Sequence, residues 1–248
     1  MKEINWFIGC SGFHYREWKE IFYPKGLPQS KWFEFYTRSF NTIEINNTFY
    51  KFPQVGNLLN WYQKSPAEFK FTIKVPGAIT HYKQFKETET LVADFYNTVH
   101  EGLKEKLGCV LFQLPPKLQY SKQKLEEILK QINIFYQNVI EFRHNSWWRK
   151  DVFEELANHN IVFCGVSYPG IISDAINNQP LSYYRFHGVP KLYYSSYDEE
   201  FLNKVANSIK NSKVTTAYIY FNNTASAAAL ENAAVIKNLV GLTSTISK

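Results

Sequence analysis

Six charged or ionisable side chains occur inside segments that are otherwise apolar and rich in β-branched or aromatic residues. They are Glu44, Lys74, Glu141, Arg143, Arg185 and His187. Carboxylates and imidazoles can transfer protons, while lysine and arginine bind phosphates and carboxylates. Burial of an unpaired charge costs several kcal/mol, on the order of what a single core substitution costs. These groups must therefore pair with one another or with a ligand.

The alternation of side chains along each predicted strand indicates that the charged groups face one interior. In the second strand, for example, Ile43 and Ile45 point outward, which leaves Glu44 and Asn46 inward. The same reasoning predicts a ring of polar inward residues near the C-terminal ends of the strands: Ser11, Asn46, Lys74, Gln113, Arg143, Ser167, His187 and Asn222. One layer deeper it places Glu44, Glu141 and Arg185.

The segments that carry these residues alternate with segments of helical period. Strands are predicted at 6–11, 42–47, 70–75, 109–114, 139–143, 161–167, 182–187 and 217–222, with Val162, Cys164 and Val166 facing outward in the sixth. Helices are predicted near 30–39, 56–65, 87–106, 121–132, 150–159, 198–211 and 225–240, and the segment 168–180 is predicted to be a loop.

This order predicts an α/β protein, a (β/α)8 TIM-type barrel of eight parallel strands with outer helices. The 248 residues are close to the roughly 250 of one complete barrel, so a single domain over 1–248 is predicted. No Gly-x-Gly-x-x-Gly follows the first strand, which disfavours an open dinucleotide-binding sheet.

The charge count favours an anionic ligand, because two carboxylates neutralise two of the three cations. The leading hypothesis is an enzyme, a hydrolase or lyase, that acts on a small phosphate- or carboxylate-bearing substrate resembling a sugar or nucleotide. The anion would be bound by Lys74, Arg143 and Arg185. Proton transfer is assigned to His187 with Glu141 or Glu44, and orientation of polar groups to Asn46, Gln113 and Asn222. Tyr15 and Trp18 either wall the pocket or belong to the core.

Three other interpretations stay open at this point. The charges can form a purely structural ion network, or the pocket can bind a ligand without catalysis. Nucleic-acid binding is permitted by the net charge of +6, but the lysines are scattered rather than clustered. No cofactor and no metal are predicted, since the chain has no HExxH motif or Cys/His cluster.

The cysteine pattern and the hydropathy point to a cytoplasmic protein. Cys10, Cys109 and Cys164 form no CxxC pair and lie in predicted strands, which is typical of buried free thiols in a reducing compartment. Residues 1–8 do not have the pattern of a signal peptide, and no segment approaches the roughly 20 apolar residues of a membrane span. The oligomeric state is left open.

The motifs around these residues resemble one known family, the YecE-like domain of unknown function 72. The matching segments are GCSGF at 9–13 with Tyr15 and Trp18, FYP at 22–24, EINNTFY at 44–50, Lys74 with ITH at 79–81, FQLPP at 112–116, EFRHNSW at 141–147, RFHG at 185–188, YFNN at 220–223 and NA at 232–233. The resemblance covers nearly the whole chain. It implies a TIM-type barrel and supplies no activity.

Overall fold

The computed structural model of the protein describes residues 3–242; the predicted domain 1–248 therefore includes eight residues, 1–2 and 243–248, that lie outside the description. Within the described range the strands are β1 Asn5–Cys10, β2 Thr42–Ile45, β3 Lys70–Lys74, β4 Leu107–Gln113, β5 Asn138–Glu141, β6 Ile161–Phe163, β7 Gly165–Ser167, β8 Leu181–Phe186 and β9 Thr216–Phe221. The α-helices are α1 Trp32–Ser39, α2 Val55–Lys64, α3 Glu89–Leu103, α4 Lys122–Leu129, α5 Lys150–Asn158, α6 Glu199–Lys210 and α7 Ala228–Leu239.

The strands form two parallel sheets. One has four strands in the order β1-β9-β8-β7, and the other has five strands in the order β2-β3-β4-β5-β6. The predicted α/β class with parallel strands is confirmed. Within residues 3–242 the backbone hydrogen bonds do not form a single closed ladder of eight strands. The predicted sixth strand, 161–167, is divided into β6 and β7, and these two strands belong to different sheets.

Cys164 lies at the first junction between the two sheets. Its amide donates to the carbonyl of Ile140 on β5 at 2.9 Å, which continues the β5–β6 ladder. The next residue, Gly165, instead pairs with Tyr184 of β8. The chain therefore passes from one sheet to the other within two residues, without a loop between them.

Side chains bridge the second junction, between β1 and β2. The Asn41 amide accepts from the amide of Ile8 at 3.1 Å and donates to the carbonyl of Trp6 at 2.8 Å. The backbone strands nevertheless approach closely. A Cβ atom at Gly9 would lie 2.3 Å from the carbonyl oxygen of Thr42, so this position requires glycine.

The hydroxyl of Tyr36, on α1, makes the second bridge at this junction. It accepts a hydrogen bond from the amide of Cys10 at 2.8 Å and donates to the carbonyl of Thr42 at 3.0 Å. Buried backbone groups at a sheet edge need partners. At this junction the side chains of Asn41 and Tyr36 supply these partners, whereas strands within each sheet are joined by backbone hydrogen bonds.

The buried apolar residues form two clusters, one between the sheets and the helices and a smaller one enclosed by the strands. The enclosed cluster contains Phe7, Cys109, Leu111, Val139, Val162, Cys164, Tyr183, Tyr218 and Tyr220. Ile43 and Ile45 belong to the outer cluster, as predicted. Seven of the strands predicted from sequence thus have the expected faces.

The predicted sixth strand has the opposite orientation. Val162 and Cys164 lie in the enclosed cluster, whereas Ile161 and Phe163 lie in the outer one. The prediction that Val162 and Cys164 point outward was therefore wrong. Because the run 161–164 is wholly apolar, its alternation carried no information about which face is enclosed.

Two of the helices begin with a side-chain cap. Asp198 accepts from the amide of Phe201 at 2.7 Å before α6, and Ser121 accepts from that of Lys124 at 3.1 Å before α4. The last helix begins at Ala228, three residues later than predicted. The predicted loop 168–180 contains no regular helix. None of the helices within residues 3–242 combines the length and apolar character needed to cross a bilayer.

Candidate functional site

Four charged side chains form a continuous buried network at the C-terminal ends of the strands. Arg185 of β8 donates from Nη2 to Glu44 Oε1 at 2.6 Å and from Nη1 to Glu141 Oε2. Arg143, two residues beyond Glu141, donates from Nε to Glu141 Oε1. Glu44, Glu141 and Arg185 are 0–1% exposed, so these ion pairs are removed from solvent. Two positive and two negative charges balance within the network.

Glu44 accepts hydrogen bonds from four side chains. Oε1 receives them from Ser11 at 2.7 Å, Asn46 at 3.2 Å and Arg185, while Oε2 receives one from Tyr183 at 2.5 Å. A carboxylate has about four lone-pair sites. Three of the four donors converge on Oε1, while Oε2 accepts from Tyr183 alone, and this geometry suits the positioning of Arg185 better than proton transfer to a substrate.

The charge states of Glu141 and Arg185 follow from each other. Burial alone would raise the pKa of Glu141, but the guanidinium groups of Arg143 and Arg185 hold this pKa well below its ordinary value. Burial would lower the pKa of Arg185, and the carboxylates of Glu141 and Glu44 raise it instead. Glu141 is thus ionised and a weak base.

His187 is fully buried beyond the end of β8 and is neutral, because burial and the Arg143 guanidinium hold its pKa well below 6.5. Nε2 lies 3.0 Å from Nη2 of Arg143, and Nδ1 lies 2.8 Å from the Asn222 amide. Arginine only donates, so Nε2 must accept and Nδ1 must carry the proton. The Asn222 atom at 2.8 Å from Nδ1 is the amide nitrogen, so a protonated Nδ1 requires the opposite orientation of this amide, with its oxygen toward the ring.

The ring of Tyr168 packs against both members of this pair. Its ring centroid lies 4.0 Å from Arg143 Cζ, and the same ring meets His187 edge to face at 5.7 Å. Stacking on the guanidinium fixes the plane of Arg143. Since Nε and Nη2 are engaged by Glu141 and His187, Nη1 is the nitrogen of Arg143 through which a ligand would be bound.

Lys74 lies at the end of β3, beside the network but outside its ion pairs. Its Nζ donates to Gln113 Oε1 at 2.8 Å and lies 4.2 Å from the centroid of the Phe49 ring. Within residues 3–242 no carboxylate lies within ion-pair distance of this amine. Burial, and then the charge of Arg185, lower the pKa of Lys74 to about 7.

His81 extends the polar ring beyond Gln113. Burial and the charge of Lys74 lower the pKa of His81 to about 4, so its imidazole is neutral. Its Nδ1 lies 2.9 Å from the hydroxyl of Thr80, and Nε2 lies 3.4 Å from Nε2 of Gln113. The amide of Gln113 therefore links the amine of Lys74 to this second neutral histidine.

The structure brings together nine of the eleven residues predicted for the site: Glu44, Asn46, Lys74, Gln113, Glu141, Arg143, Arg185, His187 and Asn222. Trp18 is instead fully buried, and its indole nitrogen donates to the carbonyl of Ser226 at 3.2 Å. Its ring is therefore core and is not presented to a ligand.

Tyr15 and Ser167 have different surroundings from the rest. Tyr15 packs on Trp18 and, with Ser11 and Asn46, lines a cavity of about 270 Å³ beside the network. Ser167 was predicted to complete the inward ring. Its hydroxyl instead accepts a hydrogen bond from Tyr197 at 2.9 Å, and Tyr197 packs against Phe186 of the outer cluster. Ser167 was thus placed on the wrong face.

Three residues of the site were not predicted: Phe49, Tyr168 and Tyr183. For Tyr183 the signal was present, because alternation along β8 places it on the same face as Arg185 and His187. Phe49 and Tyr168 lie in loops, where no periodicity indicates a direction. Within the described residues no group of three His, Cys, Asp or Glu side chains could hold a metal ion.

The fold and the site together define a class: an α/β protein of parallel sheets with a buried charged network at the C-terminal ends of its strands. The chain belongs to the family described as "Protein of unknown function DUF72", whose family model matches residues 7–247.

A crystal structure of a DUF72 family protein from Thermotoga maritima superposes with a TM-score of 0.86 and 28% identity, covering 96% of this chain and 99% of that one. The UPF0759 protein YecE of Escherichia coli K12 is 28% identical over 153 residues, which are 57% of this chain and 56% of that protein. The chain thus spans about half the length of this curated relative in the match.

A β-mannanase from the blue mussel Mytilus edulis is a TIM-barrel-like neighbour. It has a TM-score of 0.51 and 7% identity, with 98% of this chain and 94% of that chain covered. At so low an identity the likeness concerns the fold alone.

Proposed function

We propose that the protein is an enzyme that binds a small phosphate- or carboxylate-bearing substrate, of sugar-like or nucleotide-like type, and transforms it by acid/base chemistry as a hydrolase or lyase. One observation carries the proposal. Glu44, Glu141, Arg143 and Arg185 balance one another, so the protonated form of Lys74 carries a surplus charge with no carboxylate partner in the described part of the chain. An anion would supply that partner.

The contacts assign different tasks to the predicted residues. Lys74 and Nη1 of Arg143 would contact the anion, whereas Arg185 is enclosed by Glu44 and Glu141 and would position them. His187 is the neutral group nearest Arg143 that could exchange a proton. Three amides would orient polar groups of the substrate: Asn46, Gln113 and Asn222.

A closed TIM-type barrel is part of the same proposal. The support comes from the two junctions, since Cys164 continues one ladder directly into the other sheet and Asn41 bridges the other gap. In such a barrel the C-terminal ends of the strands form the active-site face. The network would then lie at its mouth.

A second candidate is a barrel that binds the anion without turnover. It is favoured by the four hydrogen bonds that Glu44 already accepts and by the pKa values of Glu141 and His187, both of which lie well below neutrality. Efficient acid/base groups titrate near the working pH. Turnover against a metabolite panel, compared with ligand-induced stabilisation alone, separates the two candidates.

Thermal unfolding in phosphate, pyrophosphate and citrate tests anion binding. A ligand at about a hundred times its dissociation constant stabilises the folded state by about 2.7 kcal/mol. We expect such a shift for the unmodified chain and its loss in Lys74→Met. Lys150→Met is the control, because this lysine is exposed and paired only with Glu154 on α5. Equal shifts in all three proteins, or none, would refute anion binding at Lys74.

We also propose that the protein acts in the cytoplasm. The support is that Cys10, Cys109 and Cys164 are all buried free thiols. Free thiols persist where glutathione and thioredoxin keep the compartment reducing. Fractionation of cells that express the tagged chain tests this, and recovery in an exported fraction would contradict it.

A further inference from the structure

We propose that Lys74 is a covalent catalytic residue whose amine condenses with the aldehyde or ketone group of an anionic substrate to form an imine. The inference rests on the proposed function, because it places the same anion in the same site. It adds the substrate class, a carbonyl compound that also bears a carboxylate or phosphate, and it changes Lys74 from a binding group into the nucleophile.

The surroundings of Lys74 fit a nucleophile better than a salt-bridge cation. A buried lysine with a structural role is normally paired or multiply hydrogen-bonded, and Lys106 illustrates this with three contacts to Tyr62 and Ser65 at 2.7–3.0 Å. Lys74 has one hydrogen bond, to Gln113, and one ring face, Phe49. Lys237 has the same number of contacts, one carbonyl and one ring, so what distinguishes Lys74 is its position beside Arg185 and the Gln113 amide of the site.

Burial at the end of β3, beside Arg185, favours the neutral amine of Lys74, which is the form that attacks a carbonyl. Arg185 on β8 and Arg143 after β5 disfavour a further positive charge, while Glu141 and Glu44 oppose them. The neighbouring His81, in the loop after β3, is neutral.

With a pKa of about 7, roughly half of Lys74 is unprotonated at neutral pH. An ordinary lysine, with a pKa near 10.4, is neutral about a thousandfold less often. The site thus makes a nucleophile available at a pH where exposed lysines are protonated.

The step balances without any further reagent. The nitrogen lone pair of Lys74 forms a bond to the carbonyl carbon, and the carbon–oxygen π pair moves to oxygen, which takes up a proton. The nitrogen gives up both of its protons in turn, the first to this oxygen and the second to the departing hydroxyl. Its lone pair forms the C=N bond as the C–O bond breaks, so that amine and carbonyl yield imine and water. When the imine is protonated, its charge lies beside Arg143 and Arg185. An anionic substituent on the substrate would offset that charge, and Nη1 of Arg143 would donate to it.

Borohydride trapping tests the imine. The chain is incubated with pyruvate or dihydroxyacetone phosphate, reduced, digested and examined by mass spectrometry. We expect the peptide containing Lys74 to gain the mass of the carbonyl compound less one oxygen atom. Lactate, which has the carboxylate but no ketone, should give no adduct, and acetone, which has the ketone but no anion, should give little. Lys74→Arg keeps the charge and should abolish the adduct.

Lys237 is the matched internal control. Its pKa is also lowered, to about 8, but it lies on α7 against the Phe40 ring and the carbonyl of Ser39, away from the guanidinium groups of the site. Labelling of Lys237 to the same extent as Lys74 would show that a low pKa alone explains the reaction and would overturn the proposal. The rate of trapping at Lys74 should rise with pH and reach half its maximum near pH 7.

The outcomes separate this inference from the proposed function. Stabilisation by lactate and phosphate without an adduct from either carbonyl compound overturns the imine and leaves anion binding intact. An adduct on Lys74 that forms equally well with acetone overturns the anionic substrate class. If no ligand stabilises the chain and no adduct forms, both the anion binding and the imine are overturned. Lys74→Gln, compared with Lys74→Arg by circular dichroism, shows that loss of trapping is not loss of folding.

Discussion

Replacement of Arg185 by methionine is the sharpest test of the charged network. Methionine has nearly the length of arginine and fills similar space, but it donates no hydrogen bond. The change leaves Glu44 and Glu141, both 0% exposed, without the cation that they share. Removing one partner of a buried ion pair costs about 3 to 5 kcal/mol, because the remaining charge is buried without compensation.

The assay is thermal unfolding at about pH 7, with the folded secondary structure checked by circular dichroism. For a chain of this size 1 kcal/mol corresponds to about 2 to 4 °C, so the midpoint should fall by about 6 to 20 °C. Lys150→Met at the exposed pair with Glu154 is the control, and it should change stability by less than about 0.5 kcal/mol.

The pH dependence gives an independent check. In the unmodified chain the pKa of Glu141 is held well below its unfolded value. Its contribution to stability is therefore present above the unfolded pKa, near 4.3, and is lost as the pH falls further. Loss of Arg185 weakens this contribution, so the difference between the two proteins should be largest near neutrality and shrink below about pH 4. A variant as stable as the parent at neutral pH, or a difference that grows in acid, would refute the reasoning.

Two further substitutions address the junction and the histidine. Tyr36→Phe removes the hydroxyl that bridges Cys10 and Thr42. The free energy of unfolding should fall by about 1 to 3 kcal/mol, and hydrogen exchange at the Cys10 amide should increase. Unchanged exchange would mean that the hydroxyl does not bridge the strands. Asn222→Leu removes the amide that lies 2.8 Å from Nδ1 of His187, so nitrogen NMR should show a changed balance of tautomers, and identical spectra would contradict the assigned proton.

The sequence was sufficient to predict the order of the elements and most of the site, for a simple physical reason. In strands packed under helices, one face is apolar, so a charged residue between two apolar ones must point to the other side. That argument placed Glu44, Lys74 and Arg185 in one interior correctly. The argument requires a polar residue between apolar ones to show which face points inward, and it succeeded in the strands that contain such a residue.

The same argument failed in the sixth predicted strand. The residues from Ile161 to Cys164 are all apolar, so either parity satisfied the pattern, and the prediction set Val162, Cys164 and Val166 outward, which left Ser167 inward. Ser167 lies on the outer face, where Tyr197 satisfies its hydroxyl. Nor could alternation reveal that the chain changes sheets at Cys164, since this depends on which backbone groups are paired.

The separate tasks of the charged residues were also beyond the sequence. Arg185 was predicted to bind substrate, yet both of its terminal nitrogens are occupied by carboxylates. Composition gives the number of charges, whereas only geometry shows which of them are already neutralised. The surplus cation could be counted in advance, but its identification as Lys74 required the contacts.

The arrangement of the strands has a consequence for synthesis on the ribosome. β1 pairs with β9, so the first strand made has no ladder partner until residues 216–221 have been translated. The carboxylates of Glu44 and Glu141 likewise precede Arg185, their shared counter-ion, in the chain. The ladder edge of β1 therefore stays unpaired until nearly all of the chain has been made, whereas β2 to β6 can pair with one another as they emerge.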